Sequence, residues 1–213
     1  VKPGIAILFF VIGTAAMITL YHDELLLLGV NVVAAAAVLG IDRWKRAKHF
    51  LVAMLVGGAC ENLAVFLGAW DYSNANYLFA PLWLPVGWGM AVVLLEEAFS
   101  KDAPVGFSSL AMPLAFGGTI LTGLNYFFEL GVLACFIIVT AGFFFTGYYK
   151  RSEIRMGIMA AVFGTAMETS CIIAGNWQYS AAMLGTPLWL PLCWFNAFLI
   201  MRRVMRVGEK SGD

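Results

Sequence analysis

Residues 57–73 read GGACENLAVFLGAWDYS, and residues 164–180 read GTAMETSCIIAGNWQYS. At an offset of 107, Gly57, Ala59, Glu61, Gly68, Trp70, Tyr72 and Ser73 meet Gly164, Ala166, Glu168, Gly175, Trp177, Tyr179 and Ser180. With one residue fewer in the loop that follows, Pro81-Leu-Trp-Leu-Pro85 aligns with Pro187-Leu-Trp-Leu-Pro191, and Trp88 with Trp194. Upstream, at an offset of 105, Glu24 meets Glu129 and Lys45-Arg46 meets Lys150-Arg151. Chance matching over such a pattern is improbable even in a biased composition, so the chain reads as an internal duplication.

The solvent of both copies follows from composition. Of 213 residues, 62% are hydrophobic and 12% charged, against about a quarter charged in soluble domains. Such a chain cannot cover itself with polar surface, and lipid is its natural medium. Spans of about 20 apolar residues fall near 4–21, 25–41, 50–69, 81–97, 105–124, 130–149, 156–175 and 184–201. The first, Pro3 to Leu20, has a counterpart later in the chain and no A-x-A cleavage site, so it reads as a helix rather than a signal peptide.

With eight spans, all 13 lysines and arginines fall on one side: Lys2, Arg43, Lys45, Arg46, Lys48, Lys101, Lys150, Arg151, Arg155, Arg202, Arg203, Arg206 and Lys210. The positive-inside rule makes that side the cytoplasm, with both termini there, as in a bacterial inner membrane. The predicted fold is an all-α polytopic bundle of about eight transmembrane helices. It is built as two parallel four-helix repeats, residues 1–101 and 102–213. An even number of spans returns the chain to its starting side, so the copies share one orientation and a pseudo-twofold axis along the membrane normal.

Glu61 and Glu168 are the leading candidates for chemistry. Each lies mid-span, nine residues before a tryptophan, hence roughly 13 Å below the outer boundary. An intramembrane carboxyl is costly and is a functional candidate by default; in hydrocarbon the neutral acid is favoured, which suits general-acid chemistry. The alternative is an interhelical hydrogen bond that ties the repeats together. Gly57 and Gly164, one turn earlier, admit a neighbouring group close to each carboxyl. Six of the 7 tryptophans form matched pairs: Trp70/Trp177, Trp83/Trp189 and Trp88/Trp194. Trp70, Trp177, Tyr72 and Tyr179 read as an aromatic belt at the outer interface. Trp88 and Trp194 sit deeper, where their π faces suit a cation. Asn62 and Asn196, with Asn176 and Thr169, supply polar groups at the same level, and Pro85 and Pro191 are expected to kink their spans.

Other features carry less. Cys60, Cys135, Cys171 and Cys193 lie in apolar runs without metal spacing. His22-Asp23-Glu24 is at most a fragment of a metal site, and Glu96-Glu97, aligned with Arg202-Arg203, reads as an interfacial charged edge. The basic run from Arg43 to His49 suits lipid headgroups rather than nucleic acid. No nucleotide-binding or hydrolase motif is present, two histidines are few for haem or di-iron chemistry, and no cofactor or metal is expected.

The W-x-Y segment, its short polar loop and the proline-led span, in duplicated four-helix units, resemble membrane carotenoid biosynthesis proteins. The two groups are the lycopene cyclase-domain and the bisanhydrobacterioruberin hydratase-like proteins. The resemblance covers Glu61 to Trp88 and Glu168 to Trp194; the P-x-E-E stretch typical of the cyclases is replaced by Pro81-Leu-Trp-Leu-Pro85 and its copy. It implies an isoprenoid cyclase, hydratase or isomerase, in which Glu61 or Glu168 protonates a lipophilic substrate lined by the paired aromatics. Glu61 is slightly favoured as the acid, with Glu168 as its orienting partner. The rival readings are a non-catalytic lipid- or pigment-binding subunit and a small transporter. Substrate and oligomeric state stay open.

Overall fold

The computed structural model describes residues 3–40, 43–99, 110–146, 150–180, 182 and 184–205. Among these there are eight helices and two short strands: α1 (Pro3–Leu20), α2 (Glu24–Leu39), α3 (Arg43–Phe66), β1 (Trp70–Tyr72), α4 (Trp83–Phe99), α5 (Ala111–Gly123), α6 (Asn125–Thr146), α7 (Arg151–Ile173), β2 (Trp177–Tyr179) and α8 (Leu190–Met205). Among the described residues four helical segments are long and apolar enough to cross a bilayer: Pro3–Leu20, Arg46–Phe66, Phe128–Phe145 and Arg151–Ile173. Apolar side chains such as Val33, Leu55, Phe145 and Ile173 lie fully outward along the bundle, as a lipid-facing wall requires. The fold is a multi-pass helical membrane bundle of two parallel four-helix repeats. The division at 101/102, and Lys2, Lys101, Arg206 and Lys210 of the charge pattern, lie outside the described residues.

Three matched pairs mark the pseudo-twofold axis. At one end β1 and β2 pair antiparallel, Trp70 with Tyr179, Asp71 with Gln178 and Tyr72 with Trp177, so each repeat supplies one strand of a two-stranded ribbon. In the middle Trp88 stacks on Trp194, with ring centroids 5.2 Å apart and planes at 16°. At the other end Glu96 meets Arg202, 3.3 Å away. Asp71 with Gln178, Trp88 with Trp194 and Glu96 with Arg202 each join a residue to its own counterpart, and the flanking ribbon pairs are related by the same exchange. The repeats also exchange helices: α1 packs on α7, and α5 packs on α3.

The repeated residues acquire local reasons. Gly68 and Gly175 turn the chain from helix into strand at φ of 76° and 79°, a region that costs other residues a steric penalty. Ser73 donates its backbone N–H to the Asn176 carbonyl, and Ser180 donates to the Ala69 carbonyl, both at 3.2 Å. Glu24 accepts the backbone N–H of Leu82 at 2.6 Å, and Glu129 accepts that of Leu188 at 2.8 Å. These buried carboxylates fix the loops that precede α4 and α8, and Asp23 caps α2 through the Leu26 N–H at 2.9 Å. The His22-Asp23-Glu24 stretch is thereby occupied structurally.

Two expectations are corrected. Pro85 and Pro191 do not kink mid-span helices; they lie in the first turns of α4 and α8, where the missing N–H has no intrahelical partner to lose. Glu96 and Arg202-Arg203 are not an exposed charged edge, whereas Glu97 keeps a third of its side chain accessible. Glu96, Arg202 and Arg203 are buried between the repeats, where Glu153 binds Arg202 and Arg203 at 3.3 and 2.9 Å and His49 approaches Glu96 to 3.4 Å. Packing of α4, α7 and α8 against one another removes these charges from solvent, and opposite signs make the burial tolerable.

Candidate functional site

Each glutamate is held by donors of its own repeat. The Tyr72 hydroxyl donates to Glu61 Oε2 at 3.0 Å, and the Trp88 indole N–H donates to Oε1 at 2.9 Å. Glu168 is held the same way, by the Tyr179 hydroxyl at Oε2 and by the Trp194 indole N–H at Oε1, 2.6 Å away. The carboxyl on α3 or α7 thus ties the ribbon to α4 or α8. Gly57 and Gly164 make room for the indoles: a Cβ on Gly57 would stand 2.5 Å from Trp88 Cγ, and one on Gly164 would meet the Trp194 ring closer still. The group admitted beside each carboxyl is therefore a tryptophan ring.

Around this double latch lie two cavities of about 110 Å³ each. Glu61, Tyr72, Trp88, Glu168 and Trp194 border both and form the partition. The first cavity lies between α1, α4 and α7 and contains Trp83 and Trp177; the second lies between α3, α5 and α8 and contains Trp189 and Trp70. Tyr179 and Asn196 also border the second. The two are each other's counterparts in the duplication. Both are walled chiefly by apolar groups, as suits a lipophilic guest.

Of the polar groups expected at the site, Asn62, Asn176 and Thr169 border neither cavity, and Asn62 is held elsewhere. Its Nδ2 donates to the Gly58 carbonyl at 2.8 Å, and its Oδ1 accepts the Ala80 N–H at 3.1 Å, so it anchors the loop before α4. The aromatic-belt reading is corrected. Tyr72, Trp177 and Tyr179 are buried, and Trp70 packs on Tyr179 as Trp177 packs on Tyr72, at 5.3 and 5.4 Å. The ribbon turns alternate side chains inward, and the glutamates hold the tyrosine hydroxyls there. Trp88 and Trp194 place their π faces against each other and Phe198, which removes them as open platforms for a cation. Reading the sequence missed Tyr21, buried against Trp83 and Trp177, and the walls supplied by α1 and α5. Their signal is faint: Gly13-Thr14 recurs as Gly118-Thr119 at the offset of Glu24 and Glu129. Among the described residues no cluster of three histidine, cysteine or acidic side chains stands ready for a metal.

No protein-family model and no curated protein sequence matches the chain. Solved structures do. A crystal structure of MvINS, a mycobacterial Insig homolog from Mycobacterium vanbaalenii, superposes with a TM-score of 0.66 at 18% identity, covering 79% of this chain and 97% of that one. A cross-linked MvINS trimer superposes with a TM-score of 0.65 at the same identity and coverage. At this identity the likeness is one of fold. The solved structures that share this fold are of an Insig homolog and not of carotenoid biosynthesis enzymes, which overturns the resemblance drawn from the W-x-Y and P-L-W-L-P segments and, with it, the expectation of an isoprenoid cyclase, hydratase or isomerase.

Proposed function

We propose that the chain is a non-catalytic, lipid-binding membrane protein of Insig-like fold, whose guest occupies the apolar cavities beside the Glu61 and Glu168 latches. One observation carries this reading: both oxygens of both carboxyls are engaged by tyrosine and tryptophan donors, in matched fashion. A general acid needs a proton aimed at substrate, and symmetric engagement suits a structural latch instead. Apolar cavities with few polar groups then remain as space for a lipid.

The transporter reading fits less well, because the Trp88–Trp194 stack and Phe198 fill the axis between the repeats where a water path would run. The repeat boundary near 101/102 and the orientation with both termini cytoplasmic belong to the same proposal.

The test is extraction of lipids from the full chain purified from membranes in mild detergent, followed by mass spectrometry. One or a few species enriched over the bulk membrane composition are expected. Recovery of the bulk composition alone would contradict lipid binding.

A further inference from the structure

We propose that the two cavities are unequal sites, and that the second binds its lipid through a hydrogen-bond donor, such as a hydroxyl, held by Asn196. This rests on the lipid-binding reading and specifies which cavity takes a polar group.

Position by position, the walls have diverged. Phe10 and Met17 of the first cavity stand where the second has Ala115 and Thr122, and Met90 stands where the second has Asn196. The register on α1 and α5 is supported by structure: Thr14 donates to the Phe10 carbonyl and Thr119 to the Ala115 carbonyl, at 2.7 and 3.0 Å. The second wall is therefore slimmer along α5. The first cavity keeps Asn31, whose Nδ2 donates to the Leu27 carbonyl of its own helix at 2.8 Å.

Asn196 is 1% exposed. Its Nδ2 donates to the Leu192 carbonyl at 2.9 Å and to Thr140 Oγ1 at 2.8 Å. A backbone carbonyl only accepts, so the amide's NH₂ end must face it, which fixes the orientation. Oδ1 is then the remaining end, and it has no hydrogen-bond partner among the described residues. A buried acceptor left alone is costly, and the side chain borders the second cavity. A donor arriving in that cavity removes the cost. An alkyl chain does not; at the matched place the first cavity has Met90, and its own amide, Asn31, is only partly buried and so loses less by standing alone.

Thiols report the second cavity selectively, because Cys60 and Cys193 line it and no cysteine lines the first. The experiment measures alkylation of each cysteine by N-ethylmaleimide in the purified full chain, with hexadecanol or hexadecane as probe. Hexadecanol is expected to protect Cys60 and Cys193 at about tenfold lower concentration than hexadecane, the worth of one recovered hydrogen bond. Cys135 and Cys171 serve as controls. Asn196→Met, which copies Met90, should erase the difference while both probes still protect. Equal protection of the native chain by both probes overturns the inference but leaves lipid binding intact, and this comparison stands even if the variant fails to fold. A preference for the alcohol that survives in Asn196→Met also overturns it. Protection by neither probe overturns the lipid-binding reading and this inference together.

Discussion

The two ends of the pseudo-twofold axis solve the same problem in opposite ways. At the ribbon end the repeats keep the same residues, and Trp70, Tyr72 and Ser73 meet Tyr179, Trp177 and the Asn176 carbonyl in a self-complementary pattern. At the charged end they carry opposite signs. Arg46 pairs with Glu97 at 3.5 Å in the first repeat, whereas Glu153 pairs with Arg203 at 2.9 Å in the second. At the offset of 107 that runs through α3 and α7, Arg46 meets Glu153 and not Arg151, which corrects the upstream alignment of Lys45-Arg46 with Lys150-Arg151, and Glu97 meets Arg203 at an offset of 106. A residue on a twofold axis meets its own counterpart. Indole rings and backbone groups can pair with their equals, but two glutamates in low dielectric repel. Inverting the charge of one repeat turns that repulsion into the Glu96–Arg202 bridge. Packing shows the same division of labour. Phe50 fills the space at Gly89 in the first repeat, while Phe195 fills the space at Gly157 in the second, so knob and hole have changed helices.

The largest expected effect is at the charged end. Arg202→Leu leaves Glu96 and Glu153 short of a partner and should destabilise the bundle by about 3–5 kcal/mol, read as thermal unfolding in detergent. Glu96→Leu combined with Arg202→Leu should recover part of that loss. Unchanged stability in the single variant would mean that the axis is not held by charge. Next, Gly57→Ala and Gly164→Ala each force a methyl into an indole and should cost about 1–3 kcal/mol. Comparable losses in the two repeats are expected, and a neutral result at one glycine would break the equivalence of the latches.

The latches themselves come third. Glu61→Leu or Glu168→Leu strands one tyrosine and one tryptophan donor and should cost about 1–2 kcal/mol for bonds in a membrane interior. Glutamine keeps a carbonyl for the indole and an amide for the phenol, so Glu61→Gln and Glu168→Gln should retain most stability and the co-purifying lipid. The smallest effect is expected at Asp71, exposed at the centre of the ribbon. Asp71→Asn should stay within about 0.5 kcal/mol of the native chain.

The duplication and the shared orientation of its halves were legible because Glu61, Trp70, Tyr72 and the P-L-W-L-P segment recur at fixed spacing. The latches were half legible. The glutamates were found, but their tyrosine partners passed for a belt, since a three-residue strand leaves no periodic signal and its partner lies over a hundred residues away. The charged end was misread because Glu96 and Arg202 lie near span ends, where interfacial exposure is the ordinary expectation. Only the packing of α4 against α8 buries them. The exchanged positions of α1 and α5 left almost no trace, because helices apolar all round do not announce which neighbour they choose.

The paired latches dividing two lipid cavities are tested most directly by an experimental structure of the full chain, purified with its native lipids retained. The expected result is lipid density in the cavities on both sides of the Trp88–Trp194 stack, with Glu61 still bound to Tyr72 and Trp88 and Glu168 to Tyr179 and Trp194. Cavities closed or empty of lipid, or a glutamate released from its tyrosine and tryptophan to meet the guest, would contradict it.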